Sequence, residues 1–530
     1  MGKLSKATGS GLVLIVLTLF LAACISDGQA GLKNNKSALL HYTVYTDDTG
    51  TQLFTVRLDC AGWSEETITL KIPAWSPGYY QIMNYAREIS DLKATDMKGM
   101  ELPVTNPASG AWEVDIRKGK PFTVTYNVRA TRRFVVNNYL DSTRWYIVPS
   151  ATFMYPDGRT DLPVKLTVNL PEYWSNIATG LKEVDGKRGE FHAPDFDILY
   201  DCPLLIGNLE ELPSFSVNGV PHRFVGFQPG EFDREGFMSN LENVVKEAVD
   251  IIGDIPYDEY TFIAIGPGNG GIEHLNNTTV SFNGNRLNNR DAMISMMSFL
   301  AHEYFHHYNV KRIRPLELGP FDYENGSRTN LLWVSEGFTS YYEHLILARA
   351  GLITEQELYG RLARIITNHE NKPGRYHQTL VQASYNTWRD GPFGNMGPEA
   401  GKTISYYEKG ACVGLILDLA IRNATGGEKS LDDVMRLLYY RYYLELNRGF
   451  TDAEFQAACE SVAGSSLNRE FEYVYTTREI DWDLYLSYAG LKINTSADAN
   501  TGRRILSITA KENSSPEELL IRNGFVTSPL

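Results

Sequence analysis

The stretch Ser298-Phe-Leu-Ala-His-Glu-Tyr-Phe-His-His-Tyr308 contains His302-Glu303-x-x-His306. On a helix, residues four apart project from the same face about one turn apart, so the two imidazoles can share one metal ion with Glu303 beside them. Neutral imidazoles suit zinc, which lowers the pKa of a water it binds, and an adjacent carboxylate can take that proton as general base. Met293, Met296, Met297, Phe299, Leu300, Phe305 and Tyr308 make residues 291–309 apolar nearly all round, the pattern of a buried helix. Buried imidazoles and a buried carboxylate need a partner, and a metal supplies it. A five-residue pattern also arises by chance, so its neighbours must carry the assignment.

Catalytic zinc takes three protein ligands, and the third is expected on a second helix downstream. Leu331 to Tyr342 predicts that helix, continuing to about Ala350. Glu336 sits there among Trp333, Val334 and Phe338, in a turn that would not bury a carboxylate without reason. Glu317, in a loop bounded by proline and glycine, and Glu324, in a turn, are poorer ligands. One zinc ion held by His302, His306 and Glu336 is the expectation.

Upstream, residues 39 to about 228 read as strands and turns. Leu53-Phe-Thr-Val-Arg-Leu, Thr67-Ile-Thr-Leu-Lys-Ile and Phe122-Thr-Val-Thr-Tyr-Asn-Val alternate apolar and polar residues, as half-buried strands do. They predict a β-sandwich-like domain. Within it, Pro73-Ala-Trp-Ser-Pro-Gly-Tyr-Tyr80 is a rigid aromatic turn, read as a packed corner in preference to a ligand contact. From Phe232 the texture changes: a helix over 232–252, then a buried strand at Tyr260–Ile265. Gly266-Pro-Gly-Asn-Gly-Gly271 matches G-x-G-x-x-G, but Ile272 to Phe282 favours a strand, so no phosphate-binding helix follows and a dinucleotide site is rejected. Beyond Ala350 the chain is mainly helical to about Ala489, with helices at 354–369, 404–422, 430–445 and 452–463. The final forty residues hold one strand, Arg504-Ile-Leu-Ser-Ile-Thr, and a polar tail.

At 530 residues the chain exceeds one compact core, and its 43% hydrophobic content places it among folded multidomain proteins. A net charge of −14 without a basic stripe excludes nucleic-acid binding. Lys3 and Lys6 precede an apolar run from Gly11 to Ala23, the pattern of a signal peptide. Leu21-Ala22-Ala23-Cys24 resembles the lipobox of bacterial lipoproteins, which implies a lipidated Cys24 and a protein of the cell envelope touching the membrane through that anchor alone. Cys60, Cys202, Cys412 and Cys459 show no C-x-x-C spacing and argue against a sulfur-ligated zinc.

Taken together, His302-Glu-Tyr-Phe-His306, Asn309-Val-Lys-Arg-Ile-Arg-Pro315 and Leu332-Trp-Val-Ser-Glu-Gly-Phe-Thr-Ser-Tyr-Tyr342 resemble the glycyl aminopeptidase family of zinc metallopeptidases. Gly270-Gly-Ile-Glu-His274, Ser405-Tyr-Tyr-Glu-Lys-Gly410 and Pro73-Ala-Trp-Ser-Pro-Gly78 match it as well, and the likeness spans about residues 40–490. It implies an α+β multidomain protein: an N-terminal β domain, a thermolysin-like (gluzincin) catalytic domain and a mainly helical C-terminal subdomain. The boundaries expected are a signal peptide at 1–23, a tether at 24–38, the β domain at 39–230, the catalytic domain at 231–350, the helical subdomain at 351–489 and a segment at 490–530 without a complete PDZ domain. The same resemblance implies Glu303 as the base. Gly270-Gly271-Ile-Glu273 becomes a substrate-binding edge strand whose Glu273 pairs with a peptide's α-ammonium. Read from the residues alone, Glu273 serves equally well in a structural salt bridge. Tyr407 corresponds to the tyrosine that supports the oxyanion, with Tyr406 its neighbour, and a core role stays open for both. Ser340 is placed near the metal ligands, and His307 either in the site or in packing.

The expected activity is zinc-dependent removal of small N-terminal residues, glycine or alanine, from peptides. An endopeptidase with the same centre and a non-catalytic peptide- or glycan-binding surface lipoprotein are the alternatives. Oligomeric state is not legible.

Overall fold

The structure is a computed structural model and describes residues 38–527. The signal-peptide, lipidation and most of the tether assignments, including Cys24, fall outside them. No helix among the described residues is long and apolar enough to cross a membrane.

The alternating segments form the strands they predict. Leu39–Tyr45, Leu53–Ala61 and Phe122–Arg129 pair antiparallel at the centre of a seven-stranded sheet, in a register that sets Tyr42 opposite Leu58 and Val56 opposite Tyr126. Every second side chain on these strands is buried. That face packs, together with two four-stranded sheets, into one core holding Trp145, Phe153 and Tyr85. The result is a β-rich N-terminal domain of the sandwich type, because a sheet with one apolar face must bury it against another layer.

A further, six-stranded sheet has the order Glu210–Glu211, Val220–Gly226, Tyr260–Ala264, Asn277–Val280, Gly271–Glu273, with Phe215–Val217 pairing with Val220–Gly226 off that path. Val220–Gly226 runs parallel to Tyr260–Ala264, which forces a crossover, and the Arg234–Ile252 helix provides it. Pairing therefore draws residues 210–226, grouped with the β domain by their alternation, into the catalytic sheet. Tyr260–Ala264 and Asn277–Val280 are wholly buried, as parallel central strands are. Gly271–Glu273 is the antiparallel edge strand.

The His-bearing helix, Arg290–Phe305, begins with Asn289 capping the Ala292 N–H at 2.9 Å. The second helix departs from expectation at its start. Trp333–Phe338 is a π-helical turn, and regular α-helix follows over Thr339–Arg349. Such turns are uncommon and cluster at functional sites. This one rests on the Tyr406–Ala424 helix so closely that a Cβ on Gly337 would lie 2.5 Å from the Gly410 Cα.

The C-terminal reading is also corrected. Residues 491–510 form a two-stranded hairpin, Leu491–Ala497 with Arg504–Ala510, and the expected polar tail contains a helix, Pro516–Val526. Ser515 and Glu518 close a capping box with proline in the first turn, and Ile521 and Phe525 are buried. Its apolar residues bunch as Leu519-Leu520-Ile521 and Phe525-Val526 around Gly524, which blurs the helical period. The four cysteines among the described residues, Cys60, Cys202, Cys412 and Cys459, are free thiols, all buried.

The contact between Gly337 and Gly410 predicts that Gly337→Ala destabilises the protein by about 1–3 kcal/mol, the usual range for overpacking. Gly360, exposed in the Glu355–Glu370 helix with nothing near its missing Cβ, is the control. Gly360→Ala should stabilise by roughly 0.5–1 kcal/mol through reduced unfolded-state entropy. Chemical denaturation of the two variants checks the contrast, and shifts of the same sign would contradict it.

Candidate active site

The His-bearing helix and the π-helical turn bring His302, His306 and Glu336 together. One ligand atom from each lies within 4.8 Å of the others. His302 Nε2 and His306 Nε2 are 3.0 Å apart, and Glu336 Oε2 is 3.2 Å from His306 Nε2 and 3.7 Å from His302 Nε2.

The opposite ring nitrogens decide what these atoms present. His306 Nδ1 donates to the Asn309 carbonyl at 2.8 Å, and His302 Nδ1 donates to Glu343 Oε2 at 2.9 Å. With the proton on Nδ1, each neutral ring aims its Nε2 lone pair inward, and Glu336 Oε2, buried and without a hydrogen bond, points at the same space. Two lone pairs and a carboxylate at such distances repel unless a cation sits among them. The donor set fits a divalent metal of the zinc kind.

A second set of bonds holds the two elements together. The Asn309 side-chain amide donates to the Val334 carbonyl at 2.9 Å, the Ser335 carbonyl at 3.0 Å and Thr339 Oγ1 at 3.0 Å. Asn309 thus orients His306 through its own carbonyl while satisfying carbonyls of the π-helical turn that carries Glu336. Glu343 accepts from Ser298 Oγ at 2.9 Å as well as from His302. Neither Asn309 nor Glu343 was singled out as a site residue, although Glu343 follows Glu336 by seven residues, two turns on the same face.

Electrostatics follow from burial. Burial acts to raise the Glu336 carboxyl, and only where the facing His306 and His302 rings carry a proton on Nε2 does their attraction outweigh it and lower the carboxyl. Glu303 is buried beside the imidazoles, and loss of solvation pushes its carboxyl up to about 7. Gly271 of the edge strand leaves room for that carboxyl, since a side chain there would collide with it and with the Phe299 ring.

A cavity of about 600 Å³ opens over these groups. Gly270, Gly271 and Glu273 line it from the edge strand, Tyr407 and Ser340 from the helices. The Tyr407 ring lies nearly parallel to His302, with centroids 6.0 Å apart, and the Phe393 ring packs on it at 5.4 Å. Tyr406 is fully buried and bonded to Thr387 Oγ1 at 3.0 Å. Both tyrosines line the cavity; Tyr407 is the one stacked on the His302 ring, and Tyr406 is held by its bond to Thr387.

The Pro73–Tyr80 turn is both a packed corner and a wall of the cavity. Trp75 is buried against Trp388 and donates to the Asp322 carbonyl at 2.7 Å. Gly78, with φ at +96°, turns the chain directly onto Glu273, where a Cβ would lie 2.8 Å from Oε1. Tyr80 closes the same side, a contribution the aromatic content alone did not separate from packing. His307 is buried among Tyr257, Tyr304 and Tyr308 on the far side of the helix, its burial holds the imidazole well below its usual pKa, and it packs rather than reaching the cavity.

Comparison with protein families matches residues 41–208 to the peptidase M61 N-terminal domain and residues 295–413 to the M61 glycyl aminopeptidase. The chain belongs to the M61 glycyl aminopeptidase family. It is accordingly a metallopeptidase. The M61 chain superposes on an aminopeptidase N family protein from Idiomarina loihiensis with a TM-score of 0.81 at 27% identity, over 87% of this chain and 80% of that one. It shares its fold with an M1 zinc metallopeptidase from Deinococcus radiodurans, with a TM-score of 0.52 at 15% identity, over 84% of this chain and 94% of the other. A mutant of the latter, bound to a Tyr-Ser-Ala substrate, gives a TM-score of 0.51 at 15% identity, over 84% and 95%. Comparison with curated proteins returned no match.

Glu343→Ala in this M61 peptidase should weaken zinc binding about 10- to 100-fold, because the His302 ring loses the acceptor that fixes its tautomer and orientation. Competition with a chromophoric chelator measures this. An unchanged affinity would remove Glu343 from the site.

Proposed function

We propose that this M61 peptidase is a zinc aminopeptidase that removes small N-terminal residues from peptides, with one ion held by His302, His306 and Glu336. The observation that carries the reading is Glu273. Its side chain is buried, lines the cleft that holds the metal-ligand cluster, and forms no ion pair among the described residues. A buried carboxylate without a counter-charge is costly, and the α-ammonium of a peptide supplies that charge. Tyr79 and Phe134, with ring centroids 5.3 Å apart, line this end of the cleft beside Gly270, and the preference for glycine or alanine follows from the family resemblance.

A zinc ion held by the three ligands supplies Lewis acidity at the scissile carbonyl and at the attacking water. Glu303, beside the imidazoles and raised toward neutrality by burial, takes the water's proton and returns it to the leaving amine. The Tyr407 hydroxyl donates to the oxygen on which negative charge develops. Gly271 to Glu273, an edge strand with one side unpaired, offers backbone hydrogen bonds to an extended peptide. The fold shared with a peptidase structure that holds a tripeptide accords with this placement. We assign Cys24 as the lipid attachment point of an exported, envelope-anchored protein, on the residues that resemble a lipobox.

Glu273→Ala tests the exopeptidase reading against an endopeptidase with the same centre. Hydrolysis of alanyl peptides with a free amine should fall about 100-fold or more, consistent with loss of a charge-assisted bond in a desolvated site. Wild-type cleavage of N-acetylated peptides, unaffected by Glu273→Ala, would establish the endopeptidase instead.

A further inference from the structure

The cleft has a second limb. Glu273 marks one end, where the edge strand meets the Gly78 turn. In the other direction the cavity floor continues over Phe299, Ser298 and Ser295, one to two turns before His302 on the same helix. Above that limb the Glu355–Glu370 helix presents Arg361, Arg364 and Asn368, a spacing that puts all three on one face.

The two guanidiniums lack what the neighbouring arginine has. Arg290, at the start of the His-bearing helix, is paired with Glu357 at 2.5 and 3.0 Å. Arg361, half-buried, reaches only Ser298 Oγ, at 3.5 Å, and neither it nor Arg364 forms an ion pair among the described residues. The acid on the adjoining wall, Glu343, is taken by Ser298 and His302. The cleft is thus negative at the Glu273 end and positive at the Arg361 end, with the metal ligands between.

A short peptide has the same polarity reversed: an ammonium at one terminus and a carboxylate at the other. From Ser298 to His306 the helix rises roughly 12 Å at 1.5 Å per residue, and an extended peptide covers that with about three to four residues at 3.3 Å each. We propose that Arg361 and Arg364 bind a carboxylate of the substrate, making this a peptidase of tri- and tetrapeptides held at both termini. The proposal rests on the aminopeptidase reading and names its substrate class.

The test is kcat/KM for Ala-Ala-Ala, its C-terminal amide, Ala-Ala-Asp amide and N-acetylated Ala-Ala-Ala. The free acid should exceed the amide by about tenfold or more, as a bidentate guanidinium–carboxylate contact implies. In Arg361→Gln, and in Arg364→Gln at an exposed position, the acid-to-amide ratio should fall toward one, and Arg364→Glu should invert it. Failure of the Asp amide to recover the rate supports recognition of the C-terminus; full recovery would overturn two-ended recognition and assign the arginines to an acidic side chain. A wild-type ratio within about twofold of one would overturn the proposal while leaving the aminopeptidase intact. Equal cleavage of the acetylated peptide would overturn the aminopeptidase reading, and the two-ended recognition with it.

Discussion

Two imidazole lone pairs and one carboxylate oxygen, aimed at the same point from two helices, set the constraint on which the rest of this structure depends. Left to themselves these groups repel or desolvate at a cost, so the fold must both force them together and provide for the cation that reconciles them. The forcing is done by hydrogen bonds. Asn309 ties its carbonyl to His306 and its amide to the π-helical turn, and Glu343 fixes His302 from the next helical stretch. The π-helical turn itself lies where the Gly337–Gly410 contact lets the Tyr406–Ala424 helix approach, which also places Tyr407 over His302.

The N-terminal β domain participates in the site. Its Pro73–Tyr80 turn carries Gly78 onto Glu273 and Tyr80 into the cavity, while Trp75 anchors the turn in the catalytic core. Glu273 therefore stands at a seam between two domains, where its position depends on both. Burial of Glu273, Glu303 and Glu336 around one cleft concentrates negative charge where zinc and an α-ammonium would be received.

Much of this was legible in the sequence, and the limits have physical causes. Strands that alternate, such as Phe122–Arg129, and ligands at helical spacing, such as His302 and His306, announce themselves because one local period fixes which face is buried. Glu336 was legible because a lone acid in an apolar turn demands a reason. The assignment of residues 210–226 failed because which sheet a strand joins depends on pairing at a distance, and alternation is the same in either sheet. The Pro516–Val526 helix was hidden because its apolar residues are bunched and Gly524 interrupts them. Glu343, Asn309 and the Arg361–Arg364 pair look like ordinary surface polar residues until the helices are packed, since their partners lie tens of residues away.

The most direct measurement is zinc content and aminopeptidase turnover, determined on the same preparations of wild type and Glu303→Gln. The account predicts about one zinc per chain in both, with turnover of an alanyl substrate reduced by about 10²–10⁴-fold in the variant, the range for loss of a general base. A Glu303→Gln protein that holds its zinc and turns over at the wild-type rate would contradict the mechanism. A wild type that stays fully active after exhaustive removal of zinc would contradict the metal centre itself.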